Sequence, residues 1–104
     1  MGKVIDQIRG ALKSHVFRYS RHAIEQRVNR HIFHEEIEEA VDSGEVIEEY
    51  PHDKYGPSCL IYGRTSQNRP LHIQCSLSSP IIIITVYEPD PLKWLDYKIR
   101  RKGQ

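Results

Sequence analysis

His22 and His72, together with Arg27, Thr85 and Tyr87, are the side chains of this 104-residue chain whose types suit proton transfer beside an anion. An imidazole with an ordinary pKa of about 6.5 holds both protonation states near neutrality, so one histidine can take a proton while another returns it. A positioned acid or base contributes about 10²–10⁴-fold, and Arg27 and Arg30 can stabilise charge developing on a phosphate. Thr85 and Tyr87 offer hydroxyls; Tyr87 or Tyr62 can instead stack on a base, which is worth about 1–3 kcal/mol. Such a set fits metal-independent attack by a ribose 2′-hydroxyl on its phosphodiester. Plainer readings stand beside it: His22 bonded to a neighbouring turn, Arg27 and Arg30 paired with an acidic helix, Tyr87 closing the edge of a core.

What brings these residues together is a hairpin over 70–87. With its turn at Ser78 and Ser79, Leu71 faces Val86, Ile73 faces Ile84 and Cys75 faces Ile82, and these pairs form the core side. The alternate positions point the other way: Pro70 with Tyr87, His72 with Thr85, Gln74 with Ile83. A one-residue slip mixes the two faces. The polar face is either a site or the wetter side of an ordinary sheet.

Upstream, Val4, Ile5, Ile8, Ala11 and Leu12 recur at helical spacing, which predicts a first helix ending near His15. Residues 16–19 suit a short strand or an extended link. Ser20 can cap a second helix running to about Arg30. On it Ile24 and Val28 are expected to share the buried stripe, with Ala23, Arg27 and Arg30 on a neighbouring one, and His22 lies near the positive amino-terminal end. A third helix is expected close to His34, because Glu35 and Glu36 complement its dipole, Ile37, Ala40 and Val41 give an apolar face, and Gly44 follows as a stop.

Strand patterns follow over 46–50, 58–62, 71–77 and 81–87. Pro89, Asp90 and Pro91 end the last strand, Trp94 is expected to fold back on the domain, and the basic tail over 96–104 is free to be disordered. The order of elements predicts one α+β domain over 1–104, about three N-terminal helices on one face of a four-stranded antiparallel sheet.

A hydrophobic content of 38% suits a single core. No stretch approaches a membrane span, and Asp6 and Arg9 interrupt the amino terminus too early for a secretory signal, so a cytoplasmic protein with no membrane partner is expected. Cys59 and Cys75 lack metal-type spacing and read as reduced, buried thiols; no metal or other cofactor is expected. His31 and His34 are three apart, but a helix break between them spoils shared ligation.

The net charge of +1 hides segregation: seven Lys+Arg against two Asp+Glu over 1–34, none against nine over 35–53, eight against three over 54–104. Arg21, Arg30, Lys98, Arg100 and Arg101 are therefore the candidates for holding phosphate, while the acidic stretch repels it, greets a basic partner, or is simply a solvated helix. No glycine-rich phosphate loop or Ser/His/Asp arrangement occurs.

Tyr19-Ser20-Arg21-His22-Ala23 with Arg27 and Arg30, Gly44-Glu45-Val46-Ile47, Pro70-Leu71-His72-Ile73, and Ile84-Thr85-Val86-Tyr87-Glu88-Pro89 with Trp94 resemble the family catalogued as domain of unknown function 4258, over roughly 14–95. The resemblance leaves out the first helix and the basic tail. It implies a small relative of RelE/ParE-type toxins, a superfold shared with several metal-independent ribonucleases. It further implies an RNA target and an antitoxin partner of zinc-finger or helix-turn-helix type. Residue by residue, it carries the Ser-Arg-His-Ala element onto 20–23, Leu-His onto Leu71 and His72, and Thr-Val-Tyr onto 85–87. The family's Ser- or Asp-like cap on the third helix has no counterpart at His34. Because ParE-type relatives act without cleaving RNA, a non-enzymatic interaction module or an inhibitor of another target is the alternative.

Overall fold

The computed structural model describes residues 3–54 and 56–102. Its elements are α1 (Lys3–Lys13), β1 (Phe17–Tyr19), α2 (Arg21–Arg30), α3 (His34–Ser43), β2 (Glu45–Tyr50), β3 (Ser58–Arg64), β4 (Pro70–Ser76), β5 (Ile81–Tyr87), β6 (Trp94–Leu95) and β7 (Ile99–Arg100). The main sheet has five strands in the order β1-β5-β4-β3-β2, not the four expected. The extra one is β1, which pairs in parallel with β5 through Phe17–Ile81, Arg18–Ile82 and Tyr19–Ile83. Three residues are too few for a periodic signature; the free edge of β5 decides their conformation.

One face of the sheet carries α1 and α3. Ile5, Ile8 and Leu12 of α1 and Ile37, Ala40 and Val41 of α3 are buried in a core shared with Ile61, Leu71, Ile73 and Val86. Helix α3 lies so close to β3 that a Cβ on Gly63 would stand 1.7 Å from the Ala40 carbonyl oxygen, so only glycine fits there. Arg9 reaches across from α1 to the open end of α3, donating to the carbonyls of Val41 and Gly44, each at 3.2 Å. The cap of α3 falls on Phe33, whose N–H donates to the Glu36 carboxylate at 2.9 Å.

The β4–β5 register differs from the expected one. His72 faces Tyr87, Ile73 faces Val86 and Gln74 faces Thr85, a shift of two that preserves facing. The turn is longer than Ser78 and Ser79, taking in residues 77–80 between the strands. A bulge then falls between this part and the Cys75–Ile83 pair. Beyond it the phase of β5 reverses, so Ile81 and Ile83 fill the core where Ile82 and Ile84 were expected.

Ser20 joins this bulge to α2. Its hydroxyl donates to the Ile84 carbonyl at 2.7 Å and accepts the Ala23 N–H at 3.0 Å, so one side chain caps the helix and fixes it to β5. Helix α2 packs against β5 where β1 leaves off, and close approach there suits a small residue. Ala23 is fully buried, whereas Ile24 and Val28, expected on the buried stripe, are 49% and 68% exposed. On the sheet's other face β6 and β7 form a small antiparallel ribbon over His72. The expected tail thus folds back through residue 100; residues 103–104 of it lie outside the described residues. No helix among the described residues is long and apolar enough to cross a membrane.

Candidate functional site

Four-residue spacing puts His22, Gln26 and Arg30 on one side of α2, and this side forms a wall of a cleft of about 490 Å³. Thr85 and Tyr87 of β5 face it, and Glu88, Asp90, Lys93 and Trp94 complete the lining. Arg30 Nε donates to Gln26 Oε1 at 2.6 Å, which leaves the Gln26 amide to donate to His22 Nε2 at 3.2 Å. In this bond His22 Nε2 is the acceptor, and an incoming hydroxyl would have to displace the Gln26 amide to reach it. Both carboxylates of the lining are engaged: Glu88 pairs with Arg69 at 2.8 Å and Asp90 accepts the Leu92 N–H at 2.9 Å. Glu88 is neutralised, Asp90 keeps its charge, and His22, Arg30 and Lys93 are the groups of the cleft that can attract an anion.

His72 does not join His22 there. It is fully buried behind Tyr87, with Trp94 edge-on at 4.5 Å and Tyr62 and Tyr87 at 6.0 and 5.2 Å between ring centres. Its Nε2 lies 2.6 Å from the Tyr97 carbonyl, which can only accept, so Nε2 carries the proton. Nδ1 then accepts the Tyr87 hydroxyl proton at 3.1 Å. Burial pulls the His72 pKa down and pushes the Tyr87 phenol up, and both effects favour this neutral pair. With its proton turned inward, Tyr87 offers the cleft lone pairs rather than a donor.

The remaining candidates scatter. Arg27 points to the other side of α2, where its Nε donates to the Ile32 carbonyl at 3.1 Å and its guanidinium lies 4.6 Å over the Tyr19 ring. Tyr19 in turn bonds His34 Nδ1 at 2.6 Å, and burial pushes its phenol up to about 12. Arg21 is exposed in the first turn of α2. Lys98 and Arg100 pair with Glu45 and Glu48, each at 3.0 Å, and Arg101 donates to the Pro91 carbonyl. Much of the charge segregation in the sequence is thus matched internally, since Glu36 meets Arg69 and Asp42 faces Lys13.

The family model for Domain of unknown function (DUF4258) matches residues 19–88. The chain belongs to this family. Comparison with the curated proteins returned no match, and neither did comparison with the solved structures. The DUF4258 match runs from the end of β1 to just past β5, so it contains both walls of the cleft but not Lys93, Trp94 or the ribbon over His72. Gln26, Lys93 and Trp94 were not among the expected site residues. Gln26 could have been found from its place midway between His22 and Arg30; Lys93 arrives through a loop that carries no periodic signal.

Proposed function

We propose that this DUF4258 protein is a toxin-like RNA-binding protein whose α2–β5 cleft holds the RNA backbone, with His22 as the group that takes the 2′-hydroxyl proton in a metal-independent cleavage. The observation that supports it is the convergence of His22, Gln26 and Arg30 with Lys93, Thr85 and Tyr87 on one cleft, where Glu88 is neutralised by Arg69 and, among the described residues, Asp90 is the one lining carboxylate without a cationic partner. Phosphate is met by Arg30 and Lys93, and Tyr87 and Trp94 supply ring edges against which a base can settle. Only one imidazole faces the cleft. His22 therefore supplies the base while the leaving oxygen takes its proton from water, and the rate gain is that of one positioned group, about 10²–10⁴-fold. His72 acts by holding Tyr87, not by transferring a proton to RNA. The RelE/ParE-like superfold and an antitoxin partner of zinc-finger or helix-turn-helix type belong to this same reading.

The test incubates purified protein with end-labelled RNA, with and without chelator, and measures binding on the same RNA across a salt series. Chelator-insensitive cleavage is expected, lowered at least a hundredfold in His22→Ala with binding retained; Arg30→Ala weakens binding and flattens its salt dependence. Undiminished cleavage in His22→Ala, or no RNA binding at low salt, overturns the reading. The alternative of a non-enzymatic interaction module is favoured by one observation, the apolar side of α2.

A further inference from the structure

The side of α2 turned away from the cleft leaves Ile24 about half and Val28 about two-thirds exposed, and Phe33, just past the helix, is 65% exposed beside them. With Ile32 they line a depression of about 270 Å³ whose remaining walls are Arg27 and His31. Single exposed apolar residues are ordinary; three large ones around one depression on a charged helix mark an interaction surface. The titratable walls of the depression are Arg27 and His31, and Arg21 follows the same stripe one turn earlier; the exposed carboxylates nearest in sequence are Glu25 and Glu35, while Arg30 lines the cleft. Beyond Phe33, Glu36 is held by Arg69 and Glu39 accepts the Ser66 N–H.

We infer that this face docks an amphipathic helix of a partner protein whose apolar stripe is flanked by Asp or Glu. Apolar side chains at i, i+3, i+4 and i+7 of such a helix fill the depression between Ile24, Val28 and Phe33, while its carboxylates meet Arg27, His31 and Arg21. A second copy of this chain fits less well in the antiparallel arrangement: a two-fold contact of that kind about the Ile24–Val28 stripe sets the Arg27 flank of one helix against the same flank of the other, and like charges oppose. The surface lies opposite His22 and Gln26 on the helix, so docking stands independently of RNA binding.

The probe is a synthetic helical peptide with a Leu stripe flanked by Glu, alongside the same peptide with Lys in place of Glu, titrated by fluorescence anisotropy into the full chain. The Glu peptide is expected to bind saturably and the Lys peptide at least tenfold more weakly. Val28→Asp and Phe33→Ser should each weaken the Glu peptide at least tenfold. Phe33→Ser also places a favoured cap on α3, so its melting temperature stays level or rises and misfolding cannot account for the loss. His22→Ala leaves the peptide affinity unchanged. Equal binding of both peptides, binding of neither, full binding by the two surface variants, or a dimer in sedimentation that Val28→Asp dissolves would each overturn the inference.

Discussion

Two polar regions meet at the ring of Tyr87, and they are built on opposite plans. On one side the α2–β5 cleft is open, and its helix wall is a row of long side chains bonded to one another, His22 to Gln26 to Arg30. On the other, His72 is sealed among Tyr62, Tyr87, Trp94 and Tyr97 with both ring nitrogens engaged. The same residue type serves architecture in one and is left available for chemistry in the other, and what differs is coverage. The ribbon from Trp94 to Arg100 lies over His72, and among the described residues nothing equivalent lies over His22. Tyr87 connects the two, because the tautomer of His72 decides which way the Tyr87 proton points.

Exchanging the two histidines for alanine breaks or upholds that contrast most directly. His72→Ala leaves the Tyr97 carbonyl and the Tyr87 hydroxyl without their partner and opens a cavity under Trp94, so a loss of about 3–5 kcal/mol is expected in urea unfolding. His22→Ala touches an exposed bond to Gln26 and should stay within about 0.5 kcal/mol of wild type. Comparable losses in the two variants would mean that the buried and open regions are not distinct.

How far this contrast was legible in the residues depends on the length of chain each feature needs. Ser20 as a cap and the shared facing of His72, Gln74 and Thr85 follow from local rules, and an even shift in register leaves facing untouched. Ile24 and Val28 misled because apolar spacing identifies a stripe without saying whether anything packs on it; the edge of β5 admits only Ala23. The burial of His72 was illegible for another reason. Its cover is a ribbon of two two-residue strands, below the length at which alternation can be recognised.

Arg69 tests whether the cleft depends on a support outside it. Its guanidinium donates to Glu36, to Glu88 and to the carbonyls of Arg30 and His31, closing the C-terminal end of α2 and neutralising Glu88 at the rim of the cleft. Arg69→Ala should cost about 2–3 kcal/mol, since bonds to charged groups are worth roughly 1.5–3 each and part of this side chain is solvated. It should also weaken the proposed RNA binding by freeing a carboxylate into the cleft. Arg69→Lys should not restore either, because a single ammonium cannot span acceptors on three elements. Full rescue by lysine would reduce the role of Arg69 to bare charge.

Protonation probes the sealed side. The folded-state pKa of His72 is held below the ordinary value by burial, so below about pH 6.5 the unfolded chain binds a proton that the folded chain does not. Stability from this group is whole above that pH and is lost as pH falls toward the depressed folded value, at up to about 1.4 kcal/mol per pH unit. Urea unfolding across pH 5 to 7.5 should show the slope in wild type, and the difference from His72→Gln should isolate it. An identical pH profile in the variant would place the titration elsewhere.

The smallest effect concerns the ribbon that makes the difference between the two regions. Asp96 and Tyr97 both hold positive φ, 52° and 62°, at the centre of the β-turn that Leu95 and Lys98 close within the three-residue link between β6 and β7. That turn prefers residues such as Asn-Gly, and a side chain at each position is strained. Tyr97 cannot yield its place, because its ring stacks on Tyr62 and its carbonyl accepts from His72. Asp96 has no such duty among the hydrogen bonds of the ribbon, so Asp96→Gly should relieve strain and stabilise by about 0.5 kcal/mol, the relief being partly offset by the extra freedom of glycine when unfolded. Read as hydrogen exchange, the gain should appear as slower exchange of the Lys98 amide, which donates to the Leu95 carbonyl across the turn. Faster exchange would show that Asp96, rather than the His72–Tyr97 bond, keeps the ribbon closed over the buried histidine.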